Sequence, residues 1–100
     1  MVRHIVMWKL KESARGRTKA QNAAFIKERL ESLKEKIPEI IKIEVGFDFS
    51  RTENSADVIL YSEFRSKEAL DAYQANPEHL ACKPLISEIC SERRLGDYEA

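Results

Sequence analysis

Apolar and polar residues alternate along four segments of the chain, and this pattern predicts four β-strands. Residues 2–11 and residues 56–64 carry apolar side chains on both faces, so both strands are expected in the centre of a sheet. Residues 40–50 alternate with a period of two, which indicates a strand with one face in water. Its covered face is predicted to carry Ile41, Ile43, Val45, Phe47 and Phe49. A short final strand is predicted around residues 94–98.

Apolar residues recur at helical spacing between the first and second strands. Thr18 and Gln21 have the spacing of a capping box, so the helix is predicted to begin there. It is predicted to stop near Lys36, because Pro38 disfavours helical backbone at the preceding residue. The stripe predicted to be buried consists of Ala23, Ile26, Leu30, Leu33 and Ile37.

A second helical region begins at Ser66 and is interrupted at Asn76 and Pro77. Asn76 is a favoured N-cap residue, and proline is tolerated at the first position of a helix because its missing N–H would have no partner there. The sequence therefore predicts one helix that ends at Asn76 and another that starts at Pro77. Pro84 is predicted to bend or restart the second of these helices.

The predicted order is β-α-β-β-α-β, which is the ferredoxin-like arrangement of an α+β fold in a single domain spanning residues 1–100. Right-handed crossovers place the helices on one face of a four-stranded antiparallel sheet. The central strands are nevertheless apolar on both faces, and an exposed apolar face of this size favours association. We therefore expect a homodimer in which two sheets face each other and close an α/β barrel.

Composition excludes several classes of function. The formal net charge is zero and the isoelectric point is about 6.7, which argues against a dedicated nucleic-acid-binding protein. No apolar run reaches the roughly 18–20 residues that span a bilayer, and no leader peptide is recognised, so we expect a cytoplasmic protein without a membrane partner. The only two cysteines, Cys82 and Cys90, are expected to be reduced. No metal-ligand spacing is present, and neither a metal nor a cofactor is expected.

Candidate chemistry centres on residues 72–80, which read AYQANPEHL. Tyr73 precedes the helix break and His79 follows it in the first turn of the next helix. The positive end of that helix disfavours a charged imidazole, so His79 is expected to be neutral near pH 7 and able to accept a proton. Tyr73 would then donate a hydrogen bond to a substrate carbonyl. The alternative is that Tyr73 is a core residue and His79 a residue of the helix end.

The first strand offers two further candidates for a binding site. His4 and Trp8 share one face of that strand with Val6. Their even-numbered positions place them on one face of the strand, but do not show whether that face lies under the helices. They line an interior shared by two sheets or they pack under the helices.

Five segments give the chain its resemblance to a known family. They are the opening VRHIVMWKLK, then IPEI, ADVILYSEF and EALDAYQANPEHL, and the closing DYE. In this order and spacing the chain resembles the stress-responsive A/B barrel domain (Dabb) family of the dimeric α/β-barrel superfamily. The resemblance implies a homodimeric ferredoxin-like barrel with a cavity in each half. One enzyme of the family cyclises a linear polyketide without a cofactor, and its catalytic tyrosine and histidine match Tyr73 and His79, while a histidine of its first strand matches His4.

Three functions follow from these observations and remain open at this point. The first is binding of a small apolar or polyketide-like molecule by His4, Trp8, Tyr73 and His79. The second is a structural or stress-related assembly role without chemistry. The third is a cofactor-independent cyclase or isomerase, with His79 as general base and Tyr73 as hydrogen-bond donor. The sequence does not decide whether the protein is an enzyme.

Overall fold

The strands and helices follow the predicted order. A computed structural model describes residues 1–100. In chain order its elements are β1 (Val2–Leu10), β2 (Ser13–Ala14), β3 (Arg17–Thr18), α1 (Lys19–Glu31), a 3-10 turn (Ser32–Glu35), β4 (Ile40–Phe47), β5 (Val58–Phe64), α2 (Lys67–Ala75), α3 (Pro77–Ile89) and β6 (Cys90–Glu99).

The four long strands form one antiparallel sheet in the order β4-β5-β1-β6. The strands predicted to be central, β1 and β5, are the two inner strands. This order and the helices on one face confirm the predicted ferredoxin-like α+β fold. No helix has the length and apolar character that crossing a membrane requires.

The core lies between the helices and one face of the sheet. Alternate residues of β1 and β5 point into it, because successive side chains of a strand alternate between faces. The buried apolar residues of these two strands are Val2, Val6, Trp8, Leu10, Val58, Leu60 and Phe64. The predicted helical stripe meets them, with Ile26, Leu30, Leu33 and Ile37 all buried.

The predicted helix starts are all present. The Thr18 hydroxyl accepts from the Gln21 backbone N–H at 3.2 Å, and the Gln21 side chain accepts from the Thr18 N–H at 3.0 Å. The Ser66 hydroxyl accepts from the N–H of Ala69 at 3.1 Å. Asn76 ends α2 with extended backbone and caps α3, and its Oδ1 accepts from the Glu78 N–H at 2.8 Å.

Four local details differ from the sequence predictions. The first helix ends at Glu31 and continues as a 3-10 turn to Glu35. The final strand is longer than predicted and starts directly after α3. Residues 13–18 form a short hairpin around Gly16, whose φ of 72° suits glycine. Pro84 lies inside a continuous α3, so it does not restart the helix.

The edge strand β4 departs from strict alternation. Its pairing with β5 shifts between Ile40 and Lys42, and such an irregularity changes which residues face inward. Ile40 is buried and Ile41 is exposed, which reverses the prediction for Ile41. Phe49 lies beyond the end of the strand and is 91% exposed, so its predicted place on the covered face was wrong.

The opposite face of the sheet has no helix over it. Directly paired residues of an antiparallel ladder share a face, and the pairs Met7–Ile59 and Ile5–Tyr61 lie together at its centre. We call these four residues the outer patch. Met7 is 41% exposed, although it lies in an inner strand.

Candidate functional site

An open cleft of about 760 Å³ separates the helices from part of the sheet. Half of its lining residues are hydrophobic, and they come from α1, α2, α3, β1, β5 and β6. The four site residues predicted from the sequence all line this cleft: His4, Trp8, Tyr73 and His79. The structure therefore brings the predicted residues together at one place.

The break at Asn76 brings the two predicted rings into contact. Tyr73 lies on the last turns of α2 and His79 on the first turn of α3, and their ring centroids are 4.4 Å apart. On one straight helix, residues six positions apart would point in directions about 120° apart. The change of direction between α2 and α3 removes that separation. His4 joins the group edge-on, with its centroid 6.0 Å from that of Tyr73.

The hydroxyl group of Tyr73 is buried without a hydrogen-bond partner. The whole side chain has no exposed surface, and it packs on Phe64 with 4.9 Å between ring centroids. Burial raises the pKa of Tyr73 well above its usual value, and the nearby Cys82 thiol acts in the same direction. The hydroxyl therefore keeps its proton at neutral pH and is a hydrogen-bond donor without an acceptor.

The ring of His79 is held in one tautomer. Its Nδ1 lies 3.2 Å from the carbonyl oxygen of Gln74. A carbonyl oxygen only accepts, so Nδ1 carries the hydrogen, and Nε2 of the neutral ring carries a lone pair. Burial lowers the pKa of His79, and the positive charges of Lys83 and Arg93 lower it further, while the Gln74 bond acts against them. The imidazole of His79 is therefore neutral, and its Nε2 can accept a proton.

His4 is paired with an acidic residue that sequence analysis did not single out. The Nδ1 of His4 lies 2.5 Å from Oδ1 of Asp97, and His4 itself is 2% exposed. Asp97 reaches this position because it is the direct neighbour of His4 in the β1–β6 ladder. The carboxylate accepts from Nδ1, which directs the other nitrogen of the ring elsewhere. The order of the elements predicts that the first and last strands pair, but only the register of that pairing identifies Asp97 as the partner of His4.

The structure settles the orientation of the first strand. His4, Val6 and Trp8 face the helices, and Trp8 is 6% exposed. The cleft is therefore enclosed by elements of one chain and not by an interior between two facing sheets.

Both cysteines also line the cleft, and both are free thiols. Burial raises the pKa of Cys90 to about 11, so this thiol is protonated at neutral pH and is a poor nucleophile. Cys82 is buried, and its thiol lies 3.4 Å from the Glu78 carbonyl oxygen. No group of three or more His, Cys, Asp or Glu residues is arranged to hold a metal ion.

Comparison with known proteins identifies the family of the chain. The family model of the stress responsive A/B barrel domain (Dabb) matches residues 2–100. Among curated proteins no significant match is found. A dimeric protein of unknown function with a ferredoxin-like fold from Bacteroides fragilis is similar, with 34% identity and a TM-score of 0.86 over 99% of this chain and 95% of its own.

Two more distant structures share the fold. A dimeric ferredoxin-like protein of unknown function from Thermobifida fusca has 19% identity and a TM-score of 0.83, and 99% of this chain and 90% of the other are covered. The hydroxynitrile lyase of Passiflora edulis has 19% identity and a TM-score of 0.81, over 97% of this chain and 90% of its own. At these identities the likeness is one of fold.

Proposed function

The chain belongs to the stress responsive A/B barrel domain family, and on this basis we propose that it is a homodimer that binds a small, partly apolar molecule in its cleft. The ligand contacts an apolar wall with its body and offers an oxygen acceptor to Tyr73. His79 and His4 flank that acceptor.

The unpartnered hydroxyl of Tyr73 carries this proposal. A buried donor that lacks an acceptor costs about 1–3 kcal/mol of desolvation. Tyr73 lines the cleft, but its hydroxyl has no exposed surface and the chain supplies no acceptor for it, so a ligand reaches the hydroxyl by displacing a side chain that covers it. A carbonyl or hydroxyl oxygen of a ligand would satisfy it and would regain that free energy on binding.

The remaining walls favour a partly apolar ligand. Binding sites for small molecules are mostly apolar clefts of roughly 300–1,000 Å³ with a few polar groups that orient the ligand. The cleft has this character, with a volume of about 760 Å³. Its apolar wall is formed by Val6, Trp8, Leu30, Leu60 and Ile86.

The homodimeric part of the proposal is supported by the outer patch. An apolar area on an inner strand is unusual at a surface, and a second sheet would cover it. The related proteins from Bacteroides fragilis and Thermobifida fusca are described as dimeric.

Fluorescence of Trp8 tests the binding function. Trp8 is the only tryptophan of the chain and lines the cleft, so its emission reports on ligands there. We expect a linear β-diketone with a pentyl chain to change this emission saturably, and we expect Tyr73→Phe to weaken its binding roughly tenfold, as for one buried hydrogen bond. Pentane, which has the apolar chain but no oxygen, is the matched control. If the diketone does not bind and the protein forms an oligomer larger than two, the structural assembly role is the better explanation.

A second candidate is cofactor-independent base catalysis, and the contact between Tyr73 and His79 favours it. Nε2 of His79 would remove a proton from a carbon between two carbonyl groups. The Tyr73 hydroxyl would donate to the oxygen that becomes negative, and the resulting enolate carbon would attack a distant carbonyl of the same chain. The π bond of that carbonyl would open, and its oxygen would take the proton back from His79. The Gln74 carbonyl would hold the imidazole in the required tautomer.

Turnover of a short linear poly-β-ketone tests this second candidate. Ring formation is followed by chromatography, with the uncatalysed cyclisation subtracted. We expect His79→Ala to lower the rate by about 100-fold or more, which is the usual contribution of a general base. A rate that remains at the uncatalysed level for the unmodified protein, or full turnover by His79→Ala, would rule out the assigned role.

A further inference from the structure

Two cationic side chains at the mouth of the cleft have no ion-pair partner in the chain. Lys83 on α3 and Arg93 on β6 both line the cleft, and both are exposed. Neither takes part in any ion pair, although the adjacent Arg94 lies 3.9 Å from Glu92. Other exposed basic residues also lack an ion pair, among them Lys34 and Arg65, but those two do not line the cleft.

The register of the last strand directs one of these cations inward. Arg93 is paired with Trp8, whose side chain faces the cleft, so Arg93 shares that face of the sheet. Arg94 is paired with Met7 and lies on the opposite face. One residue of the Arg93–Arg94 pair therefore belongs to the cleft, and the other belongs to the outer face of the sheet.

The charges that line the cleft do not balance. Apart from the histidines, they are those of Lys83, Arg93 and Glu92, and two cations with one carboxylate leave a surplus of one positive charge. The positive charges of Lys83 and Arg93 also reach the His79 ring, since both lower its pKa. A negative group at the mouth would face both cations and still lie close to His79.

We propose that the ligand of the cleft is a monocarboxylate with an apolar body, whose carboxylate pairs with Lys83 and Arg93. This inference rests on the binding function proposed above and names the class of its ligand. A guanidinium group binds a planar carboxylate through two parallel hydrogen bonds, and an ammonium group adds a point charge. A single surplus charge matches a monocarboxylate better than a phosphate monoester, which carries about two negative charges at neutral pH.

Octanoate and octanol form a matched pair of probes for this proposal. They have the same chain length and differ in the charge of the head group. We expect the Trp8 signal to show tighter binding of octanoate, and we expect higher ionic strength to weaken octanoate more than octanol. In the double variant Lys83→Gln with Arg93→Gln, octanoate should bind at least roughly fivefold more weakly, as expected for partly exposed ion pairs, and octanol should bind unchanged.

A second double variant, Lys34→Gln with Arg65→Gln, is the control, because it removes two positive charges outside the cleft. Both residues are exposed and neither lines the cleft, so it should leave octanoate binding unchanged. Equal binding of octanoate and octanol, or an equal loss in both double variants, would overturn the carboxylate assignment and leave the binding function standing. Tighter binding of octyl phosphate would also overturn the assignment. Failure of octanoate to bind a protein that still binds the β-diketone would overturn this inference alone, whereas failure of the β-diketone as well would overturn the proposed function and this inference with it.

Discussion

The hydroxyl of Tyr73 has a cost in the unliganded protein that can be measured. It is buried without a partner, while in the unfolded chain it is hydrated. We therefore expect Tyr73→Phe to leave the free energy of unfolding unchanged or to raise it by up to about 1 kcal/mol. Chemical denaturation of both proteins without ligand measures the difference.

Ser62 is the matched control for Tyr73. Its hydroxyl is equally buried but donates to the carbonyl oxygen of His4 at 3.0 Å. Ser62→Ala should therefore lower the free energy of unfolding by about 1 kcal/mol or more. A similar loss in Tyr73→Phe would mean that the tyrosine hydroxyl has a partner in the folded chain, and the argument for a ligand acceptor would fail.

His79 makes stability depend on pH in a defined direction. Its folded pKa is lower than its unfolded value of about 6.5, mainly because of burial, so the unfolded chain binds the proton more tightly. Stability is therefore unaffected by this group well above pH 6.5 and decreases as pH falls through 6.5 and below. We expect His79→Gln to lose less stability than the unmodified protein between about pH 7 and pH 5.

Comparing the unmodified protein with His79→Gln separates the contribution of His79 to the pH dependence of stability from that of the carboxylates. Glu31 also has a lowered pKa, caused mainly by the side chain of Lys27, but its loss of stability begins near pH 4.5. Denaturation curves at several pH values measure the difference. Parallel pH profiles for the unmodified protein and His79→Gln would show that the imidazole is not held neutral by the fold.

The pairing of Tyr73 with His79 could be predicted from sequence because its cause is local. The helix break lies between them, and both its cap and its proline act within three residues. The partner of His4 could not be predicted in the same way. Asp97 lies 93 positions away, and only the register of two strands brings it to the imidazole.

At the scale of elements, features with a local cause were predicted, and features that depend on strand pairing were not. The caps at Thr18 and Ser66 depend on neighbouring residues, and both are present. The irregular pairing at Ile40 depends on how β4 meets β5, and the hydrophobic pattern alone carries no sign of it. The bounds of β6 depend on its long ladder with β1, which extends a strand whose own residues are mostly polar.

The junction of α2 and α3 is the element on which the site depends. Asn76 caps α3, and we expect Asn76→Ala to lower the free energy of unfolding by about 1 kcal/mol. Because the first turn of α3 carries His79, the same change should weaken binding of the β-diketone. Thermal unfolding and Trp8 fluorescence measure the two effects.

Asn76→Asp is the control for this prediction. It keeps an acceptor for the N–H of Glu78, and a negative charge suits a helix N-terminus. It should retain both stability and binding. If Asn76→Ala binds as well as Asn76→Asp, the cap does not determine the position of His79.

At the scale of the whole molecule, the two faces of the sheet have different surroundings. The face under the helices forms the cleft, while the outer patch lies on the face without helices. Gly46 and Gly96 are paired with Ile59 and Ile5 on this outer face, and added side chains there would contact nothing within the chain. Packing within one chain therefore does not require these glycines, whereas they allow a second sheet to approach closely.

A charge in the outer patch tests the homodimer directly. Met7→Lys would place an ammonium group between two apposed sheets, where it would lose its hydration without gaining a partner. We expect the mass in sedimentation or light-scattering measurements at micromolar concentration to fall from that of a dimer to that of one chain, with the fold preserved by circular dichroism. Leu80→Lys is the matched control, because Leu80 is exposed to a similar extent, 47% against 41%, but lies on α3. Since the cleft is built within one chain, the monomeric variant should still bind the β-diketone. A dimeric Met7→Lys, or an unmodified protein that sediments as a single chain, would show that the outer patch is not the contact between copies.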